Sequence, residues 1–168
     1  MLKIEIVRLR PEHMEYLIRF FEAINKPEYI KDFSPHPFNE ENAMRVCNYQ
    51  GRDLFCSVLL EGKKIIGYGM LRGWDDGYEI PSIGLCILKK YQGIGLGRLL
   101  LSFLETVSRV RGCLMVMLKV KKGNDKAKRL YETQGYVFKG HDEELLIGYK
   151  NFTLSSTEKI DLAFEDFK

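Results

Sequence analysis

Long apolar runs are missing from this 168-residue chain. Stretches such as Leu99–Leu101 fall far short of the roughly 20 residues a membrane-spanning helix needs. The N-terminus alternates Leu2, Lys3, Ile4, Glu5, Ile6, so it offers no apolar signal-peptide core. Cysteine is sparse, at 47, 56, 86 and 113, with no CxxC pair, and the histidines (13, 36, 141) are scattered. That spacing argues against a zinc site and against a disulfide framework, so no metal is expected. Cys56, Cys86 and Cys113 lie in apolar strand-like runs, where a reduced thiol behaves as a small hydrophobe. Neither sign of charge dominates. Lys plus Arg number 26 against 23 Asp plus Glu, a net +3, and the sequence pI near 8.6 is below the clustered basicity usual in nucleic-acid domains. A soluble, cytoplasmic protein is expected, with no nucleic-acid or membrane partner, as a monomer or homodimer.

What is present is ordinary globular material: 45% hydrophobic and 29% charged residues, in a length that suits one domain. Residues 2–9 alternate as a strand. Pro11 suits a helix start, and Met14, Leu17, Ile18 and Phe21 follow at helical spacing. Residues 26–39 hold Pro27, Pro35 and Pro37 and read as an irregular loop. Asn39-Glu40-Glu41 opens a second helix to about Tyr49. Residues 54–60, 64–71 and 78–88 are strand-like and separated by turn chemistry, suggesting three antiparallel strands. A strong helix follows, with Leu96, Leu100, Phe103, Leu104 and Val107 as its buried stripe and Gly112 at its end. A strand over 113–120, a helix over 124–134 and strands over 136–139 and 144–150 close the pattern, and residues 151–168 form an unassigned tail. The order β-α-α-β-β-β-α-β-α-β-β predicts an α/β (α+β) fold, a mixed sheet with helices on both faces.

Chemistry concentrates in two segments. In Gln92-Gly93-Ile94-Gly95-Leu96-Gly97-Arg98, three glycines stand between a strand and a helix N-terminus. Glycine lets the backbone turn tightly and aim successive amides at one point, and the helix dipole adds partial positive charge. That combination suits a pyrophosphate, with Arg98 adding a charge. A Walker loop would end in Gly-Lys-Ser/Thr, but the chain reads Gly97-Arg98-Leu99. A Rossmann fingerprint would place Gly three residues after its second Gly, where Arg98 or Leu100 stands. In the second segment, Asn124 is a good N-cap and Gly135 a good residue to end a helix, while Ala127 and Tyr131 share a face.

Together, Gln92-x-x-Gly95-x-Gly97 and Asn124-x-x-Ala127-x-x-Leu130-Tyr131-x-x-x-Gly135-Tyr136 resemble the GNAT N-acetyltransferase superfamily. The resemblance covers roughly residues 2–150. It implies a single-domain fold over residues 1–150, with a mostly antiparallel sheet of about seven strands, and acetyl-CoA as cosubstrate. Leu85, Cys86 and Ile87 would present backbone groups to the pantetheine arm. Gln92, Gly93, Ile94, Gly95, Leu96, Gly97 and Arg98 would hold the pyrophosphate, and Asn124 would contact the cofactor. Tyr131 would protonate the departing thiolate, as a phenol can, while a backbone N–H stabilises the oxyanion.

Some members carry a Glu five residues before the motif Asn. Here that position is Lys119. Glu79 is the next candidate base, expected on the fourth strand facing with Pro81 and Ile83; His36, Asp75, Asp76 and His141 are weaker candidates. The acceptor is expected to be a small-molecule amine such as an amino sugar. Its platform would be the 33–38 loop, with His36 and Phe38, and the 74–79 turn, with Trp74, Asp75 and Asp76. A lysine acceptor starts near pKa 10.4 and needs a strong base. Alternatives are a protein or peptide N-acetyltransferase and a non-catalytic CoA-binding regulatory module. The basic run Lys119, Lys121, Lys122, Lys126, Lys128, Arg129 is interrupted by acidic residues and lacks stacking aromatics, which favours a rim for the CoA 3′-phosphate over nucleic acid.

Overall fold

The computed structural model describes residues 3–152. Seven strands, β1 (Ile4–Arg8), β2 (Leu54–Leu60), β3 (Lys64–Arg72), β4 (Ser82–Ile87), β5 (Met115–Lys121), β6 (Val137–Asp142) and β7 (Leu145–Asn151), share one sheet. Their order is β1-β2-β3-β4-β5-β7-β6. The helices are α1 (Met14–Ile24), α2 (Pro27–Ile30), α3 (Glu40–Cys47), α4 (Leu96–Val110) and α5 (Asp125–Thr133). Among the described residues no helix is long and apolar enough to cross a membrane. The mixed sheet expected from the element order is present, with the seven strands and mostly antiparallel pairing that the family resemblance implies.

Contacts divide the chain into two compact units. The first holds residues up to Met70 together with Gly84–Leu101, and the second holds Leu71–Ile83 and the described residues from Ser102 onward.

In the first unit, β1 runs antiparallel to β2, with Ile4 opposite Leu60 and Arg8 opposite Cys56. Leu17, Phe20, Phe21 and Ile24 form the inner face of α1 and join Val46 and Cys47 of α3 and Phe55, Tyr68 and Met70 of the sheet in one core. The Asn39 side chain caps α3 by accepting from the Asn42 amide at 2.9 Å, which satisfies one donor the helix start leaves unpaired. The proline-rich stretch is less irregular than expected. Pro27 takes the first helical position of the single-turn α2, where its missing N–H costs nothing.

In the second unit β5 pairs antiparallel with β7 from Met115–Asn151 to Lys121–Leu145, and β7 pairs antiparallel with β6. β4 meets β5 in parallel through Ser82–Met117 and Ile83–Leu118, the crossover pairing that a strand-helix-strand unit gives. Gly148 is required by packing: a Cβ there would lie 3.0 Å from the Phe138 ring and 3.2 Å from Leu118. All four cysteines are free and buried, as their apolar surroundings predict.

Several boundaries differ from those expected, and two of them bear on the site and the tail. The fourth strand begins at Ser82 and not at Tyr78, because Gly73–Gly77 is followed by an exposed bend through Glu79 and then by Pro81, which carries no N–H for a ladder. The tail expected from Asn151 starts later: Asn151 closes β7 and Phe152 is buried. The remaining tail, 153–168, lies outside the described residues.

Candidate active site

After β4 the first unit makes a short helical turn at Lys89–Tyr91 and then the glycine turn. The Gln92 side-chain amide donates to the Ile87 carbonyl at 2.9 Å, fastening the turn to the end of β4. Gly93 (φ +82°) and Gly95 (φ +92°) are in the left-handed region, where a Cβ is strained. No atom lies within 4 Å of where a Cβ would stand at either. Conformation therefore demands glycine, and the turn is open above the backbone. The Leu99 N–H closes back on the Gly95 carbonyl at 3.0 Å. The amides of Leu96, Gly97 and Arg98 precede that bond and have no acceptor within the helix. Three such donors at the start of a 15-residue helix, with exposed Lys90 and Arg98 flanking them in sequence, suit a diphosphate by charge and by donor count. Leu85 is half-buried, and Cys86 and Ile87 are buried in the part of β4 beyond Ile83. Burial pushes the Cys86 thiol up to about 12, which keeps it from acting as a nucleophile at neutral pH.

In the second unit Asn124 caps α5, its Oδ1 accepting the Ala127 amide at 3.1 Å. Tyr131 is 7% exposed, one turn on from Ala127, and its ring meets Tyr136 edge-on with centroids 5.7 Å apart. The Tyr136 amide donates to the Tyr131 carbonyl at 3.0 Å. Sequence reading overlooked what lies behind this pair. Glu105 is buried, and its Oε2 accepts from Lys150 Nζ at 2.7 Å. The signal was present: Leu101, Glu105 and Ser108 repeat at helical spacing and are all buried, so two polar residues interrupt an apolar stripe.

The expected base and acceptor residues differ in exposure and surroundings. Glu79 is exposed and precedes β4, so the strand parity that aligned it with Pro81 and Ile83 does not hold. Asp75, Asp76, Lys119 and His141 are exposed. Trp74 is 7% exposed, with the Arg111 guanidinium 4.6 Å from its ring centre; its face is a packing surface. Phe38 is 5% exposed and stacks on Phe33 at 6.0 Å. His36 Nδ1 meets the Pro37 carbonyl at 2.9 Å, so that nitrogen carries the proton. Nε2 lies 3.0 Å from the Tyr68 hydroxyl, within hydrogen-bond reach.

The sequence matches the family described as Acetyltransferase (GNAT) family over residues 18–136. The chain belongs to the GNAT acetyltransferase family. One curated GNAT relative is the [ribosomal protein bS18]-alanine N-acetyltransferase of Haemophilus influenzae, 34% identical over 89 residues, 53% of this chain. That match spans 59% of the relative's length. Two solved structures share the GNAT fold. The PaiA N-acetyltransferase of Thermoplasma acidophilum, in complex with coenzyme A, has a TM-score of 0.73 at 21% identity, over 89% of this chain and 99% of that one. The spermidine N-acetyltransferase of Vibrio cholerae, with CoA and spermine, has a TM-score of 0.71 at 19% identity, over 88% and 95%.

Proposed function

We propose that this chain transfers an acetyl group from acetyl-CoA to a weakly basic primary amine by direct attack in a ternary complex. The observation that carries this reading is the glycine turn, with amides ahead of the first helical hydrogen bond and nothing above Gly93 or Gly95. The turn binds the diphosphate, Leu85, Cys86 and Ile87 offer backbone groups to the pantetheine arm, and the Asn124 amide group contacts the cofactor. Bound acetyl-CoA would supply an activated acetyl group, CoA departing as a thiolate while the attacking amine's surplus proton passes to solvent. Tyr131 donates the proton that thiolate takes up. An acetyl-cysteine route is disfavoured, because burial pushes Cys56 and Cys86 up to about 12.

Base strength selects the acceptor class. With Lys119 in place of a carboxylate and Glu79 exposed ahead of β4, the chain suits an amine that is partly neutral already. A peptide α-amine, with pKa about 7.7–8.0, meets that demand, and a lysine near 10.4 does not. Amino sugars fall in the same class. The name of the Haemophilus influenzae relative supports the peptide α-amine within it. The test is an acetyl-CoA turnover screen over peptides, amino sugars, polyamines and lysine side chains, run with wild type and Tyr131→Phe. Turnover should favour α-amines and amino sugars and fall about 10²–10⁴-fold in Tyr131→Phe with the fold intact. Tight acetyl-CoA binding without turnover of any amine would mark a non-catalytic CoA-binding module.

A further inference from the structure

The second unit contains a buried ion pair that no step above uses. Glu105 on α4 is 4% exposed, and its partner Lys150 on β7 reaches it at 2.7 Å. The same ammonium lies 5.7 Å from the centre of the Tyr136 ring. Tyr136 is 3% exposed, and its ring edge is set against Tyr131 at 61°. A continuous contact path thus runs from a helix and a strand, through Tyr136, to Tyr131.

Buried ion pairs contribute little net stability, since taking two charges out of water offsets their attraction. What this pair does supply is direction. One carboxylate oxygen fixes the ammonium, and the ammonium faces one ring, which orients it more narrowly than an aliphatic contact would. The Tyr136 hydroxyl and Glu105 Oε1 complete no hydrogen bond of ordinary geometry. Burial, and then the nearby Glu105 carboxylate, still push that phenol well above its ordinary value near 10 and keep it neutral. The ring is the part of Tyr136 that meets both the Lys150 ammonium and Tyr131.

We propose that Tyr136, seated against the Glu105–Lys150 pair, is a positioning residue that fixes the orientation of the Tyr131 phenol. This rests on the reading of Tyr131 as the acid. A proton donor works only within hydrogen-bond reach of its target, and misplacement by about 1 Å costs on the order of 10²-fold.

The test places Tyr136→Leu, Tyr136→Phe and Glu105→Gln in wild-type and Tyr131→Phe backgrounds. Readouts are kcat on the best amine of the screen, acetyl-CoA affinity by calorimetry, and melting temperature. Tyr136→Leu should lower kcat about 10–100-fold while acetyl-CoA affinity stays within about threefold. Restoring a ring with Tyr136→Phe should recover kcat to within about threefold of wild type. Glu105→Gln keeps the shape and unseats Lys150, so it should lower kcat about three- to tenfold; it decides the matter if Tyr136→Leu does not fold. None of these losses should appear once Tyr131 is already Phe. Equal losses in both backgrounds, or a folded Tyr136→Phe that fails to recover, would overturn the positioning role alone. A Tyr131→Phe enzyme with wild-type turnover would overturn the acid reading and the positioning role with it.

Discussion

Gly93 and Gly95 stand in the open, with no atom within 4 Å of where a Cβ would sit, whereas Tyr131 is 7% exposed and set against a second buried ring. As the proposed diphosphate site, the glycine turn would work through its backbone. Its donors are peptide N–H groups, its charge is partly the helix dipole, and the side chains it most needs are the ones glycine omits. In the proposed reading the Asn124–Tyr136 segment would work through side chains, with the distant Glu105–Lys150 pair holding Tyr136 behind Tyr131. An anion site of the first kind tolerates change around it and fails when its own residues gain bulk or negative charge. A proton donor of the second kind is sensitive to residues that never touch substrate.

The sharpest way to break this contrast is Gly97→Glu. A carboxylate in the first turn of α4 favours the helix itself, and glutamate forms helix better than glycine. The same charge opposes a bound diphosphate, so acetyl-CoA affinity by calorimetry should fall at least about 100-fold while melting temperature holds or rises. Unchanged affinity would move the diphosphate elsewhere.

Next in size is Glu105→Leu, which leaves a Lys150 side chain only 23% exposed without its carboxylate. Stability measured by denaturant midpoint should fall by about 3 kcal/mol, and the double variant Glu105→Leu/Lys150→Met should regain most of it. Gly97→Glu should show no such stability loss, which separates backbone site from side-chain site.

Asn124 belongs to both plans and gives the smallest effect. Asn124→Ala removes the cap on Ala127 N–H and should cost about 1 kcal/mol. Asn124→Asp keeps a capping oxygen and loses the amide donor. It should leave stability within a few tenths of a kcal/mol but raise the KM for acetyl-CoA. A KM shift in Asn124→Ala alone would make Asn124 a cap and nothing more.

Much of the first plan was legible in sequence because it is local. Turn glycines, a helix start and a cap are fixed by residues within a few positions of one another, and Gly93, Gly95, Asn39 and Asn124 behave as their types dictate. The acceptor side was less legible. Trp74 and Phe38 read as open aromatic faces, yet Arg111 covers the first and Phe33 and Phe21 the second. Glu79 was placed by strand parity, which a strand starting at Ser82 removes.

By itself the sequence determined the element order (the single-turn α2 apart), the helix caps and the glycine turn, since hydrophobic period, capping chemistry and φ > 0 are properties of neighbouring residues. Only the tertiary structure decided that Glu105 is buried, that Lys150 reaches it across 45 positions of chain, and that Tyr136 stands against both the ammonium and Tyr131. No short-range rule pairs those residues; they meet because β7, the part of α4 from Ser102 on and the turn after α5 belong to one compact unit, and packing is set by the whole chain.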